Sequence, residues 1–481
     1  MVKVLFINPN KWGRGITTIW IASHSAILKA KGFDVELFDC TFYKKWTNDE
    51  TNYNTANKQY KKTDYSKIIK FSDNNIEKDL ENKINEFDPD IVFWSALSSH
   101  IHGEGEYVNI QYGYDLIKNL KDRSLKITGG IQATASPEII LKNFNKIDYL
   151  ISGESEIVLT EICKNIKNNI TLKNINGLSY LDDNQQIVKN APQKIIKDLN
   201  DIPLYDYKIF DDQTFLRPYN GNIVRAVDYE MSRGCIYTCS YCVETVIQKY
   251  YGFEEKTPKG ALKQAKNYLR NKSAERIYDE LFKFRNDFNI DLVRCQDTNF
   301  LTINPKILNE LREKYLNNPI DIKLYIETRP EGINEKSVKL LKDLNVDGVG
   351  MGVELAGEDF REEKLNRFAD QDKIIKAFNL LKENGIKRTS YNIIGLPDQD
   401  EQSIKSTIDF NKYLKPDNVT VAFYSPYYGT NEHANSVKKD YFDDYEKQVD
   451  GQLRTVSKNK LVSKEKLNYY KENFNSLVYN I

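Results

Sequence analysis

Cys235, Cys239 and Cys242 carry the most specific chemistry in this sequence. They sit in Arg233-Gly234-Cys235-Ile236-Tyr237-Thr238-Cys239-Ser240-Tyr241-Cys242, just after an extended, strand-like run from Ile223 to Met231. An iron–sulfur cube takes one thiolate per iron. Three close thiolates with no further one nearby leave an iron open to bind something else, which suits a catalytic cluster better than an electron wire. Zinc is the rival reading, with a tetrahedral set usually built from Cys or His pairs at short spacing. The nearest further Cys or His is Cys295, well downstream, so a closed zinc site needs distant help.

A second set of capable residues stands at strand ends. Six strand-like runs alternate with helical patterns: Val224–Met231, Leu292–Gln296, Lys323–Glu327, Gly348–Val353, Ser390–Ile394 and Val419–Tyr424. Ser273, with Glu275 in the first turn, opens one helix, and Asn384-Gly385 closes another. The pattern predicts a partial (β/α)6 TIM-type barrel, an open curled sheet whose sites lie at the C-terminal ends of its strands. Those ends hold Gln296 and Asp297, Arg329, Gly352 and Glu354, Asn392 and Gly395, and Tyr424. A lone buried charge is costly. Asp297, Arg329 and Glu354 therefore either pair with one another or face a zwitterionic ligand.

The elements that must position these residues fill 481 positions, enough for two or three domains. Apolar residues make up 40% and charged residues 29%, and Lys+Arg and Asp+Glu both number 69, so no net charge argues for nucleic acid or a membrane surface. No apolar run approaches the ~18 residues that span a bilayer. The start reads as a first strand and not a signal peptide. With three of six cysteines in one motif, the expected compartment is the reducing cytoplasm.

Residues 1–168 alternate strand-like runs (Val4–Ile7, Val35–Phe38, Ile91–Ser95, Lys126–Thr128, Tyr149–Ile151) with helices, which predicts an α/β, doubly wound, Rossmann-like parallel sheet. Such sheets bind ligands beyond the carboxyl ends of their strands. Candidate binding residues there are Ser95, Ser98, Thr128, Gly129, Gly130, Gly153 and Glu154. Residues 44–75 read as a solvated insertion. Residues 169–222 read as a connector with a β-hairpin, 223–430 as the barrel and 431–481 as a helical tail.

CxxxCxxC with Tyr241 before its last cysteine resembles the signature of radical S-adenosylmethionine (SAM) enzymes. Ser232-Arg233-Gly234 resembles the branch with an N-terminal cobalamin-binding domain. Gly129-Gly130, Pro137-Glu138, Asp148 and Gly153-Glu154-Ser155-Glu156 are similar to that domain's pattern, Leu199-Asn200-Asp201-Ile202-Pro203 to its connector, and Gly352-Val353-Glu354 and Gly395-Leu396-Pro397 to SAM contacts. Pro426-Tyr427-Tyr428-Gly429-Thr430 resembles the Pro-x-Pro-Gly-Thr ending, with Tyr for the second Pro. The Asp-x-His-x-x-Gly motif that ligates cobalt is absent; the four histidines are His24, His100, His102 and His433.

The resemblance implies a [4Fe-4S] cluster on Cys235, Cys239 and Cys242, SAM beside it and a cobalamin facing it across one cavity. Tyr241, Gln296, Asp297, Arg329, Gly352, Glu354, Asn392, Gly395 and Tyr424 fall on the cluster and SAM side. It further implies a 5′-deoxyadenosyl radical, methyl transfer to an unactivated carbon of a small molecule, and an external one-electron reductant such as flavodoxin or ferredoxin. A non-methylating rearrangement, oxidation or cyclisation is the alternative. A sensing module is disfavoured because it needs no SAM pocket, and a methylthiotransferase because only Cys40 and Cys163 lie in the first domain. Cys295 is read as packing, with a ligand or thiol role open, and the aromatic stretch 250–260 as a lid.

Overall fold

The computed structural model describes residues 1–47, 68–96, 109–424, 427–441 and 459–480. Ser98, His100, His102, Pro426 and most of the 44–75 insertion lie outside them.

The first sheet is built from β1 (Lys3–Asn8), β2 (Asp34–Asp39), β3 (Ile91–Ala96), β4 (Leu125–Gly130) and β5 (Tyr149–Ile151), all parallel in the order 2-1-3-4-5. Its strands read as near-continuous apolar runs because both faces are covered. Val4, Phe6, Ile91 and Phe93 join one core with Trp20 and Leu28 of the helix Ile19–Ala30 and with Val158 and Ile162 of the helix Ser155–Lys167. Leu5, Ile7, Val92 and Trp94 alternate to the other face, against Leu80, Ile84, Ile110 and Leu116. In this strand order the crevice for ligands lies between the carboxyl ends of β1 and β3.

The hairpin expected in the connector, β6 (Leu178–Leu181) and β7 (Ile187–Lys189), continues this sheet, β6 pairing antiparallel with β5. The first sheet thus runs past residue 168. What remains of the connector is a wedge. Leu199, Ile202, Tyr205, Tyr207, Phe210 and Phe215 are buried in the core that also holds Val227 and Tyr229 of the second sheet. Each such side chain contributes roughly 1.5–3 kcal/mol when fully buried, so the two sheets are packed on one another through a shared interior.

The second sheet runs β16-β15-β14-β13-β12-β9-β8. Its six parallel strands are β9 (Asn222–Tyr229), β12 (Leu292–Cys295), β13 (Lys323–Thr328), β14 (Val346–Glu354), β15 (Lys387–Ile394) and β16 (Asn418–Phe423). They form the partial barrel, and β8 (Leu216–Tyr219) pairs antiparallel with β9 outside it. Ser273 caps the helix Ala274–Phe288 by accepting from Arg276 N, and Gly385, at φ +72°, ends the helix Gln371–Glu383. The tail belongs to this barrel too: Leu467, Tyr470 and Phe474 of the helix Lys464–Tyr479 pack on Val419, Val421 and Ile404. Lys471 Nζ donates to Val421 O on the edge strand at 2.8 Å. No helix among the described residues is long and apolar enough to cross a membrane.

Candidate active site

The three cysteines leave the sheet through β10 (Ser232–Arg233), a two-residue strand paired antiparallel with β11 (Arg270–Asn271). Gly234 follows at φ +94°, where a Cβ would lie 2.9 Å from Tyr268 O, so only glycine makes this turn without displacing the tyrosine. Two buried carboxylates fix the start of the loop. Asp297, at the end of β12, accepts from Met231 N at 3.1 Å and from Ser232 Oγ at 2.5 Å. Glu244 accepts from Cys235 N at 3.1 Å and from Tyr268 Oη at 2.6 Å. Gln248 Nε2 bridges Cys235 O and Tyr237 O, both at 2.9 Å. These contacts fix the backbone of the loop.

Cys235 and Cys239 are 7% and 8% exposed. Burial, reinforced by Glu244, pushes the Cys235 thiol up to about 12, and burial raises Cys242 as well. Thiols in such a setting stay protonated until a metal displaces the proton. Tyr237 N lies 3.5 Å from Cys235 Sγ and Arg329 Nη1 lies 3.7 Å from Cys239 Sγ. Donors of this kind tune cluster sulfurs. Among the described residues, no group of Cys, His, Asp or Glu converges tightly enough to hold a single metal ion. Three cysteines in one loop, with N–H donors beside two of their sulfurs, form a donor set suited to a cluster.

The strand-end charges do not pair with one another. Each has its own partner. Glu354 accepts from Tyr241 Oη at 2.9 Å and lies 3.7 Å from Arg367 Nε. Arg329 pairs with Glu331 and stacks on Tyr237, its guanidinium 3.8 Å from the ring centroid. Asp297 is held by the loop it caps, and burial lifts its carboxyl to about 6. Glu354 takes φ +64° at a break in register between β14 and β15, and curls back over Gly352. A Cβ on Gly352 would lie 2.2 Å from Glu354 Oε1.

Cys235, Cys239, Cys242, Tyr241, Arg329, Gly352 and Glu354 thus share one rim. Other strand-end candidates are committed within the protein. Asn392 donates to Ser390 Oγ and accepts from Asn411, Gly395 N donates to Gln399, and Tyr424 Oη donates to Glu432 O amid Leu355 and Leu396. Cys295 lies in the core against the covering helices, so it packs and has no place at the rim. Arg367, Glu244 and Gln248 carry no local sequence signal and come to the site only through folding.

Across from the rim lies the carboxyl end of the first sheet. Between them opens a cleft of about 210 Å³, lined by Ser95, Gly130, Gly153 and Glu154 on one side and, on the other, by Ser232 and Gly234, just ahead of the cysteines, and by Gln296. Gln296 Nε2 donates to Asp228, while its buried Oε1 has no hydrogen-bond partner. Thr128 is buried within β4 and donates to Trp94 O, and Gly129 packs against Ile151, so both shape the strand behind the cleft. Glu154 is already engaged, by Arg270 at 2.6 Å, Arg233 at 3.4 Å and Ile196 N at 3.0 Å. Arg233 also meets Glu156 and Glu230, each at 2.7 Å. Burial alone would raise Glu156, but this guanidinium holds its carboxyl low.

His24 faces the same cleft, with Nε2 2.7 Å from Ser155 Oγ, and burial keeps its imidazole neutral by lowering its proton affinity. The stretch read as a lid is docked instead. Tyr251 Oη accepts from Glu154 N at 2.7 Å, and Tyr250 Oη donates to Ser152 O at 3.2 Å.

The Radical SAM superfamily profile matches residues 229–410. An uncharacterized methyltransferase of Pyrococcus horikoshii is 26% identical over 352 residues, 73% of this chain and 70% of that protein. The anaerobic magnesium-protoporphyrin IX monomethyl ester cyclase of Cereibacter sphaeroides is 25% identical over 372 residues, 76% of this chain but 56% of the cyclase. Among solved structures, the radical S-adenosylmethionine methyltransferase TsrM of Kitasatospora setae, with cobalamin and a [4Fe-4S] cluster bound, shares the fold. Its TM-score is 0.66 over 91% of this chain and 75% of that one, at 17% identity.

Proposed function

This chain is a radical SAM enzyme through its domain at residues 229–410, and from that premise we propose that it transfers a methyl group to an unactivated carbon of a small molecule with the help of cobalamin. The observation that carries the proposal is the cleft itself. The carboxyl ends of two parallel sheets face each other across it, with Ser232 to Gly234, the residues that lead into the cysteine loop, on one wall and the Gly130 and Gly153 turns on the other. Glycine at strand ends lets backbone come close to a large flat ligand, and Gln296 Oε1 is a buried acceptor in search of a donor there.

Cys235, Cys239 and Cys242 would hold the cluster, which together with SAM supplies the 5′-deoxyadenosyl radical that takes hydrogen from carbon. Cobalamin, held against the first sheet, would supply the methyl group. Such hard chemistry belongs to cofactors, and the chain's part is to orient and to exclude water. Tyr237 and Arg329 shield the sulfurs. Tyr241 and Arg367 hold Glu354 where it can meet the ammonium of SAM. Arg233, between Glu154, Glu156 and Glu230, keeps the two walls in register.

The cyclase relative supports a second reading in which the same radical leads to ring closure or oxidation and no methyl group moves. The test is anaerobic reconstitution, exposure to hydroxocobalamin and desalting, followed by the absorption spectrum and cobalt content. Near-stoichiometric cobalamin favours methyl transfer. An intact cluster without cobalamin sinks that reading and leaves the non-methylating one, to be pursued through 5′-deoxyadenosine formation.

A further inference from the structure

The stretch after the cysteines does more than clasp the two domains. Its far half folds back as a tight hairpin over the outer side of the cysteine loop. Thr257 N donates to Ala261 O at 2.7 Å, and the tip Pro258-Lys259 turns through Gly260 at φ +64°. One arm pairs with the loop: Thr238 N donates to Gly260 O at 2.9 Å, and Leu262 N to Ile236 O at 2.8 Å. Thr238 and Ile236 adjoin Cys239 and Cys235 in sequence. The hairpin backbone is therefore one hydrogen bond and one peptide unit from two of the three cysteines.

The outward side of this hairpin is basic. Lys249, Lys256, Lys259, Lys263 and Lys266 are all exposed, against Glu254 and Glu255, a local basic excess in a chain with 69 charges of each sign. Lys263 and Glu255 form a pair at 3.5 Å with both side chains more than half exposed, which screening leaves weak. The neighbouring helix Glu358–Leu365 adds exposed Lys364 against exposed Asp359 and Glu363, so the basic excess belongs to the hairpin and its flanks and not to that helix. A solvated basic face is ordinary by itself. Here it lies on the hairpin that pairs directly with the cysteine loop.

We propose that the hairpin 255–263, with Lys249 and Lys266 flanking it, is the docking surface for an acidic one-electron carrier protein of the flavodoxin or ferredoxin class. The proposal rests on the radical SAM reading above. In the docked complex the carrier gives up one electron and the cluster gains it, and no group or proton need cross the interface. Complementary charge steers such an encounter and makes it sensitive to ionic strength, and the route inward runs through Gly260 and Thr238 to Cys239.

The test uses the full-length reconstituted enzyme and reduced flavodoxin, with dithionite as a small reductant that needs no docking surface. The triple variant K256E/K259E/K263E changes only exposed side chains, and K256Q/K259Q/K263Q serves if charge reversal disturbs folding. We expect flavodoxin to bind the variant at least about tenfold more weakly at low salt, a gap that narrows as salt screens the charges. Carbodiimide cross-links between flavodoxin carboxylates and the wild type should map to Lys256, Lys259 or Lys263. Flavodoxin-driven 5′-deoxyadenosine formation should fall with binding while the dithionite-driven rate stays within about twofold. Equal affinity for variant and wild type, cross-links at a different face, or capture of RNA in place of the carrier would each overturn the proposal. If dithionite yields no 5′-deoxyadenosine from the wild type, the radical chemistry fails, and the binding and cross-link results still decide the surface.

Discussion

At the residue scale, the rim separates the side chains proposed to hold the cluster from those that hold its loop. Serine in place of Cys235, Cys239 or Cys242 should remove most of the iron and sulfide from purified protein, whereas Cys295→Ala should keep both and cost about 1 kcal/mol of packing. Retention of a full cluster by a Cys239→Ser protein would break the assignment. Gly352 makes a sharper case, because its missing Cβ is the space Glu354 occupies. Gly352→Ala should displace that carboxylate and weaken equilibrium binding of SAM by about tenfold, roughly 1.4 kcal/mol, with iron content unchanged. The three cysteines stand out as candidates from their spacing alone. Arg367 does not, since nothing in Asn366-Arg367-Phe368 announces that its guanidinium will lie beside Glu354.

At the element scale, the segment after the cysteines matters most. Its short helix Glu244–Tyr250 secures the loop through Glu244 and Gln248, and Tyr250 and Tyr251 clasp the turn at Gly153. Tyr251→Phe should cost about 1 kcal/mol through the lost acceptor for Glu154 N. Gly153→Ala should cost more, because its φ of +75° disfavours a side chain and the new Cβ would lie 2.4 Å from Tyr251 Oη. Thermal unfolding of the full chain checks both, and a Gly153→Ala protein as stable as wild type would show the clasp to be incidental. In this structure the stretch read as a lid rests on the first domain through Tyr250 and Tyr251. Its aromatic run marked the segment in the sequence, but aromatic residues bury themselves against whatever surface folding brings near.

At the scale of the whole molecule, the two sheets are joined by a buried polar knot as well as by the shared core. Asp228, at the end of β9, accepts from Thr17 N and Oγ1 of the first domain, both at 3.1 Å, and pairs with Arg217. Burial would raise its carboxyl, yet the Arg217 guanidinium holds it at about 2. Asp228→Asn leaves Arg217 buried without its counter-charge, at an expected cost of about 3–5 kcal/mol. The contribution has a defined pH window. With the folded pKa near 2 and the ordinary value 3.8, the stabilisation is complete above about pH 4 and is lost as pH falls through 2. Unfolding midpoints of wild type and variant should therefore converge across that window, and a constant gap down to pH 2 would deny Asp228 this role.

The sequence by itself determined what local pattern can encode. Strand–helix alternation gave two parallel sheets, each with its binding edge at the carboxyl ends, and the spacing of Cys235, Cys239 and Cys242 marked the first strand of the second sheet as the site of chemistry. Only the tertiary structure decided partnership. Glu154 stood at a strand end as a candidate cofactor contact; folding brought Arg233 and Arg270 to its carboxylate at the cleft wall, because a buried charge is stable only beside an opposite one. The hairpin 178–189 joined the first sheet and the last helix the barrel, since an open strand edge and an uncovered apolar face both seek cover. Those choices depend on residues far apart along the chain, and no local pattern records them.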